Sequence, residues 1–157
     1  MLKVVFDHDG TLVDTTTSRR AYEGIVELLE ELFKMRVPMY IWTARDRAST
    51  LEYLKGNGLL GYFEELWTST DGQVKPSPQG LFHMLGEESK DSVYVVGDSP
   101  TDMFGAKKYG AHALAALWAE VGNEDMTTRR GEMRAAGADV TCASPEEVMK
   151  YIKDKNV

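Results

Sequence analysis

Two carboxylates stand one residue apart in Asp7-His8-Asp9, directly after the apolar run Val4-Val5-Phe6 and directly before Gly10 and Thr11. On an extended chain, side chains two apart share a face, so Asp7 and Asp9 can point at one reaction centre while His8 points away. Carboxylates that close repel unless a cation or a shared proton lies between them, which points to a metal site or an acid/base pair. A strand followed by an Asp-Gly turn is the plain alternative. Three more polar segments follow apolar runs: Thr43-Ala44-Arg45 after Val37 to Trp42, Lys75-Pro76 a short loop beyond Trp67, and Gly97-Asp98-Ser99 after Val93 to Val96. Asp102 stands four residues past Asp98. Hard oxygen ligands of this kind, with room left for water, suit Mg2+. The hydroxyl of Thr43 and the compact cation of Lys75 are what a tetrahedral oxyanion such as phosphate needs. Asp102 also has a structural reading, because Ser99-Pro100-Thr101-Asp102 offers Ser at an N-cap, Pro at N1 and an acid at N3. The same pattern recurs at Ser144-Pro145-Glu146-Glu147, away from any candidate site, and the two roles of Asp102 are compatible.

The elements that must carry these residues alternate along the chain. Ala21, Ile25, Leu28, Leu29 and Leu32 recur at helical spacing, which predicts a helix over about 18–35. A strand follows at 37–42, then a helix at 46–56, a strand at 63–68, a helix at 78–86 and a strand at 93–96. The series ends with a helix at 100–109, a strand at 112–118, a helix at 124–136, a strand at 138–142 and a last helix. Strands rich in Val and Ile, separated by helices, predict an α/β, three-layer, Rossmann-like fold: a mostly parallel sheet with helices on both faces. Ligands in such folds bind beyond the carboxyl ends of the strands, so the four polar segments should meet.

With 157 residues, 43% hydrophobic and 27% charged, the chain is expected to form one domain over 1–157. No window is long and apolar enough for a membrane span, and the first residues enter a strand without an export pattern, so a cytoplasmic location is expected. The single cysteine, Cys142, fits a reducing compartment and a core position. The net charge of −7 and the absence of basic blocks argue against nucleic acid as the main partner, and Arg19-Arg20 and Arg129-Arg130 read as solvated helix faces.

Asp7-x-Asp9-Gly10-Thr11, Thr43, Lys75-Pro76 and Gly97-Asp98-Ser99-x-x-Asp102, in that order, resemble the four motifs of the haloacid dehalogenase superfamily, and the core domain of its phosphoglycolate phosphatase-like members in particular. The resemblance implies that Asp7 is the nucleophile forming an aspartyl-phosphate, and that Asp9 is the acid that protonates the leaving oxygen and then activates water. It implies phosphate binding by Thr43, Ala44 and Lys75, and Mg2+ binding by Asp7, the main-chain carbonyl of Asp9, Asp98 and, through water or by orienting Lys75, Asp102. Dehalogenases of the family work without the second acid, so Asp9 favours phosphoryl chemistry. Thr43 comes about 34 residues after Asp9, and Lys75 about as far again, which leaves no room for the cap domain that many members insert. An open site follows, with substrate contacts expected from Thr11, Arg45, Arg47 and the loop Val13 to Arg20, and with His8 packed or hydrogen-bonded behind the centre. The implied partner is a phosphorylated small molecule, with a lid lent by a homo-oligomer as one way to cover the site. A phosphoprotein or nucleic-acid end as substrate, and a regulatory domain without turnover, are the alternatives.

Overall fold

The computed structural model describes residues 1–87, 90–120 and 126–157, with the backbone alone for Lys90 and Glu120. Six strands, β1 (Lys3–Phe6), β2 (Met39–Trp42), β3 (Glu65–Trp67), β4 (Val93–Gly97), β5 (His112–Ala116) and β6 (Val140–Cys142), form one sheet in the order β3-β2-β1-β4-β5-β6. Every pairing is parallel, with Val5 opposite Tyr40 on one side and Val95 on the other. Among the described residues, six α-helices connect and follow them: α1 (Ile25–Lys34), α2 (Arg47–Gly56), α3 (Gln79–Leu85), α4 (Pro100–Tyr109), α5 (Met126–Ala135) and α6 (Pro145–Lys155).

Alternation along the strands builds two cores, one on each face of the sheet. Val4, Phe6, Met39, Ile41 and Val96 face Leu28, Leu29 and Leu32 of α1 and Val148 and Ile152 of α6. Val5, Trp42, Val93 and Val95 face Leu81 and Leu85 of α3, Met103, Ala106 and Tyr109 of α4, and Met133 of α5. This is the expected three-layer α/β architecture. The strand order turns back between β1 and β4, so the chain leaves these neighbouring strands in opposite directions and opens a crevice at their carboxyl ends.

Most predicted elements fall within two or three residues of the observed ones, and residues 124 and 125 of the predicted fifth helix lie outside the described residues. The first helix is the exception. It starts at Ile25 rather than near 18, because the backbone of 12–22 is spent on a small antiparallel turn. Tyr22 N donates to Leu12 O at 3.0 Å and Asp14 N to Arg20 O at 2.9 Å, and Gly24 at φ 89° then turns the chain into α1. Arg19 and Arg20 are therefore turn residues and not a helix face. The predicted strand at 112–118 stops at Ala116, and Trp118 enters a 3-10 turn whose indole Nε1 donates to Thr11 O at 2.9 Å. The intervals from Asp9 to Thr43 and from Thr43 to Lys75 hold only these core elements, with no inserted domain.

Candidate active site

Strand β1 ends where Asp7 N donates to Val96 O at 2.9 Å, and the next residues coil into a turn in which His8 O accepts from Leu12 N at 3.0 Å. The turn requires Gly10, at φ 78°, and a Cβ there would lie 2.1 Å from Asp98 Oδ2. Side-chain absence is thus what lets the β1 and β4 ends close on each other. Asp7, Asp9, Thr43, Ala44, Arg45, Lys75 and Asp98 all line one cavity of about 690 Å3. The four polar segments do meet.

Asp7 is buried, and each of its oxygens has a partner: Lys75 Nζ donates to Oδ1 at 2.8 Å and Thr11 Oγ1 to Oδ2 at 3.4 Å. Lys75 Nζ also donates to Asp102 Oδ1 at 2.5 Å and lies 5.1 Å from the Trp42 ring centre. Burial works against its charge, but Asp102 and Asp7 outweigh that and hold the ammonium above the usual lysine range. Asp102 both faces Lys75 and closes the start of α4. Its other oxygen accepts from Ser99 N at 3.1 Å, while Ser99 caps α4 in return, a capping box that fixes the carboxylate facing Lys75.

Asp7, Asp98 and Asp102 offer oxygens that all lie within 4.8 Å of one another. Burial, then the facing Asp7, push Asp98 up to about 9, and burial with Asp7 also raises Asp102. With all three acids ionised the cluster would carry more negative charge than Lys75 compensates, and all its donors are carboxylate oxygens, a set that fits a hard divalent cation.

Thr43 is buried beyond the end of β2; its Oγ1 accepts from Arg45 N at 3.1 Å, which leaves its hydroxyl proton to donate into the cavity. Asp46 caps α2 by accepting from Ser49 N at 2.8 Å, so Ala44 and Arg45 are held at the rim. Asp9 is turned toward that rim. Arg45 Nε donates to both its oxygens at 3.0 Å and Nη2 to Oδ2 at 2.8 Å, and Thr15 Oγ1 adds a bond at 3.2 Å. His8, fully buried, places Nδ1 2.8 Å from Asp9 Oδ1 and packs 5.7 Å from the Tyr53 ring. Burial favours the neutral acid, but the bonds from His8 and Arg45 prevail and hold Asp9 well below the usual carboxylate range.

Two expected substrate contacts are instead engaged within the protein. Thr11 is fully buried because its hydroxyl serves Asp7 and its carbonyl takes the Trp118 indole. Arg47 is tied to Asp71 Oδ2 at 2.8 Å and Leu66 O at 2.9 Å.

A family model described as haloacid dehalogenase-like hydrolase matches residues 16–116, well over half of the chain. The chain belongs to this family. The match takes in Thr43, Lys75, Asp98 and Asp102 and begins after Asp7 and Asp9. Among curated relatives, pyrophosphatase PpaX of Halalkalibacterium halodurans is 28% identical over 107 residues, 66% of this chain and 49% of that protein, so the chain spans about half the length of the relative. Among solved structures, a candidate beta-phosphoglucomutase from Thermotoga maritima superposes with a TM-score of 0.84 at 18% identity, covering 98% of this chain and 99% of that one. A hydrolase from Pseudomonas syringae gives a TM-score of 0.78 at 20% identity, with the same coverage. At these identities the structures establish the haloacid dehalogenase-like fold. Among the described residues, no helix is long and apolar enough to cross a membrane.

Several residues of this family member's site carry no motif. Arg129 on α5, read as a solvated helix residue, donates through Nη2 to the main-chain carbonyl of Asp98 and is only partly exposed. Thr15 and Tyr53 reach Asp9 and Arg45 across the turn and α2. Thr15 falls in the loop Val13 to Arg20 expected to contact substrate, whereas nothing local in the sequence marks Tyr53 or Arg129.

Proposed function

We propose that this haloacid dehalogenase-like chain is a Mg2+-dependent phosphatase that hydrolyses a phosphate monoester through an aspartyl-phosphate on Asp7. The observation that carries the reading is Asp7 itself: a buried carboxylate at the β1–β4 crevice, oriented by Lys75 and Thr11 and facing a cavity that Thr43 lines. One Asp7 oxygen attacks phosphorus as the bond from phosphorus to the leaving oxygen breaks, and Asp9, protonated once its oxygens are released from Arg45, gives that oxygen its proton. Asp9 then takes a proton from water, whose oxygen attacks phosphorus, and the phosphorus–Asp7 bond breaks to release inorganic phosphate. Thr43, Ala44 and Lys75 would hold the phosphoryl oxygens through these steps.

Asp7, Asp98 and the main-chain carbonyl of Asp9 would hold Mg2+, with Asp102 acting through water and by orienting Lys75. The ion would supply positive charge that offsets the phosphate against the carboxylates. The similarity to a pyrophosphatase supports phosphate chemistry, and the lack of an inserted domain between the motifs supports an open site on a single domain. The reading extends to a small phosphorylated metabolite as substrate in the cytoplasm.

The test is phosphate release from p-nitrophenyl phosphate and a panel of phosphometabolites, with Mg2+ and with EDTA, beside Asp7→Asn. Release that needs Mg2+ and falls at least a thousandfold in Asp7→Asn is expected. Folded, Mg2+-loaded protein that releases nothing from any of them overturns the reading.

A further inference from the structure

Beside the catalytic cavity lies a second one of about 840 Å3, and Arg45 lines both. Its walls are the turn bearing Arg19 and Arg20, the face of α2 bearing Ser49 and Tyr53, and Asn57 at the end of that helix. The turn is built to stay in place. Arg19 adopts φ 65°, and Asn57 ties its neighbours down, accepting from Ala21 N at 3.0 Å and donating to Arg19 O at 3.1 Å. A left-handed conformation at a residue with a long side chain costs energy and persists only where its surroundings fix it.

The charge in this cavity is concentrated. The guanidinium of Arg45 lies 5.0 Å and that of Arg19 5.7 Å from the centre of the same Tyr53 ring. Three arginines line the cavity against one carboxylate, Glu52, in a chain of net charge −7. Among the described residues, the ion pair these arginines make is that of Arg45 with Asp9. That pair occupies both oxygens of the group that must face the leaving oxygen.

We propose that this second cavity receives the leaving-group end of the substrate, and that this end carries a second anionic group, a phosphate or a carboxylate. The inference rests on the phosphatase reading of the Asp7 centre. Arg19 and Arg20 present planar, multi-donor heads that match phosphate and carboxylate oxygens. Arg45 is the positioning residue between the two cavities. An anion in the second cavity draws its guanidinium off Asp9, and the freed carboxyl turns to the leaving oxygen. A substrate with a neutral leaving group leaves Arg45 on Asp9, so selection is exerted on kcat as well as on KM.

Two measurements test this. The first is calorimetric titration of Asp7→Asn protein in Mg2+ buffer with inorganic pyrophosphate, 2-phosphoglycolate and fructose 1,6-bisphosphate, each against orthophosphate. The second is the ratio of kcat/KM for those three compounds to that for p-nitrophenyl phosphate. Both are repeated in Arg19→Gln/Arg20→Gln and in Arg36→Gln/Arg134→Gln. The latter pair removes the same charge just before β2 and before β6, where the strands begin rather than where they end.

The expected result is that at least one two-anion compound binds more tightly than orthophosphate, and that its affinity and its kcat/KM ratio fall tenfold to a hundredfold in Arg19→Gln/Arg20→Gln but less than threefold in the distant pair. The phosphate and carboxylate compounds distinguish the two sources of the anion. Affinities no better than that of orthophosphate, or equal losses in the two variants, overturn the proposal. Absence of phosphate release from every compound is instead failure of the phosphatase reading, and the calorimetry still decides what the cavity binds.

Discussion

Lys75→Met isolates the electrostatic centre of the site. The substitution keeps a long apolar stem beside Trp42 and deletes the one ammonium that touches both Asp7 and Asp102. Lys75 and Asp102 are almost wholly buried, with side-chain exposures of 5% and 1%, so solvent screens the loss poorly. Removing one partner of a buried ion pair costs about 3–5 kcal/mol, because the other charge is left desolvated and uncompensated. For a domain of this size, each kcal/mol moves the melting temperature by about 2–4 °C, so the variant should melt roughly 6–20 °C below the wild type. The sign of the pH dependence follows from the same contacts. Asp102 is already raised by burial and by Asp7, and Lys75 opposes that rise, so its removal lifts the folded-state value further. Above the unfolded carboxylate value, the folded variant then binds more protons than the unfolded chain, and its stability falls as pH rises. The gap from wild type should therefore widen from pH 5 to pH 8. Thermal unfolding followed by circular dichroism in EDTA at those two pH values measures both quantities. A variant as stable as the wild type at pH 8, or a gap that widens on acidification, would refute the account of Lys75 as the cation that allows these acids to be buried together.

Gly10→Ala places a Cβ 2.1 Å from Asp98 Oδ2 at a φ of 78°, so phosphate release should fall at least a hundredfold; Mg2+-dependent kinetics beside a melting curve check that the loss is local, and activity near that of the wild type would contradict the packing of the β1 and β4 ends. Burial, then Glu147, push the Cys142 thiol up to about 12, so the native protein should resist a disulfide reagent at pH 8 and react fully once unfolded; labelling of native protein within minutes would show that this part of the core opens readily.

The layers and the place of the chemistry were legible in the residue pattern alone. Val4 to Phe6, Val37 to Trp42 and Val93 to Val96 are apolar runs, and each stops on polar or small residues that a parallel sheet must bring to one edge. Ser99 and Asp102 show their helix start locally, because a capping box spans only four residues. Tertiary structure decided the rest. Ala21 fits the helical period of Ile25 and Leu28, yet its amide is taken by Asn57, 36 positions away, and no local pattern encodes that competition. Arg45 meets Asp9 across a separation of 36 positions, Arg129 meets Asp98 across 31, and Trp118 meets Thr11 across 107. Each pairing depends on which strands lie side by side and where each loop ends. Periodicity reports which face of an element is apolar, whereas the partner of a polar side chain is fixed only when separate elements pack.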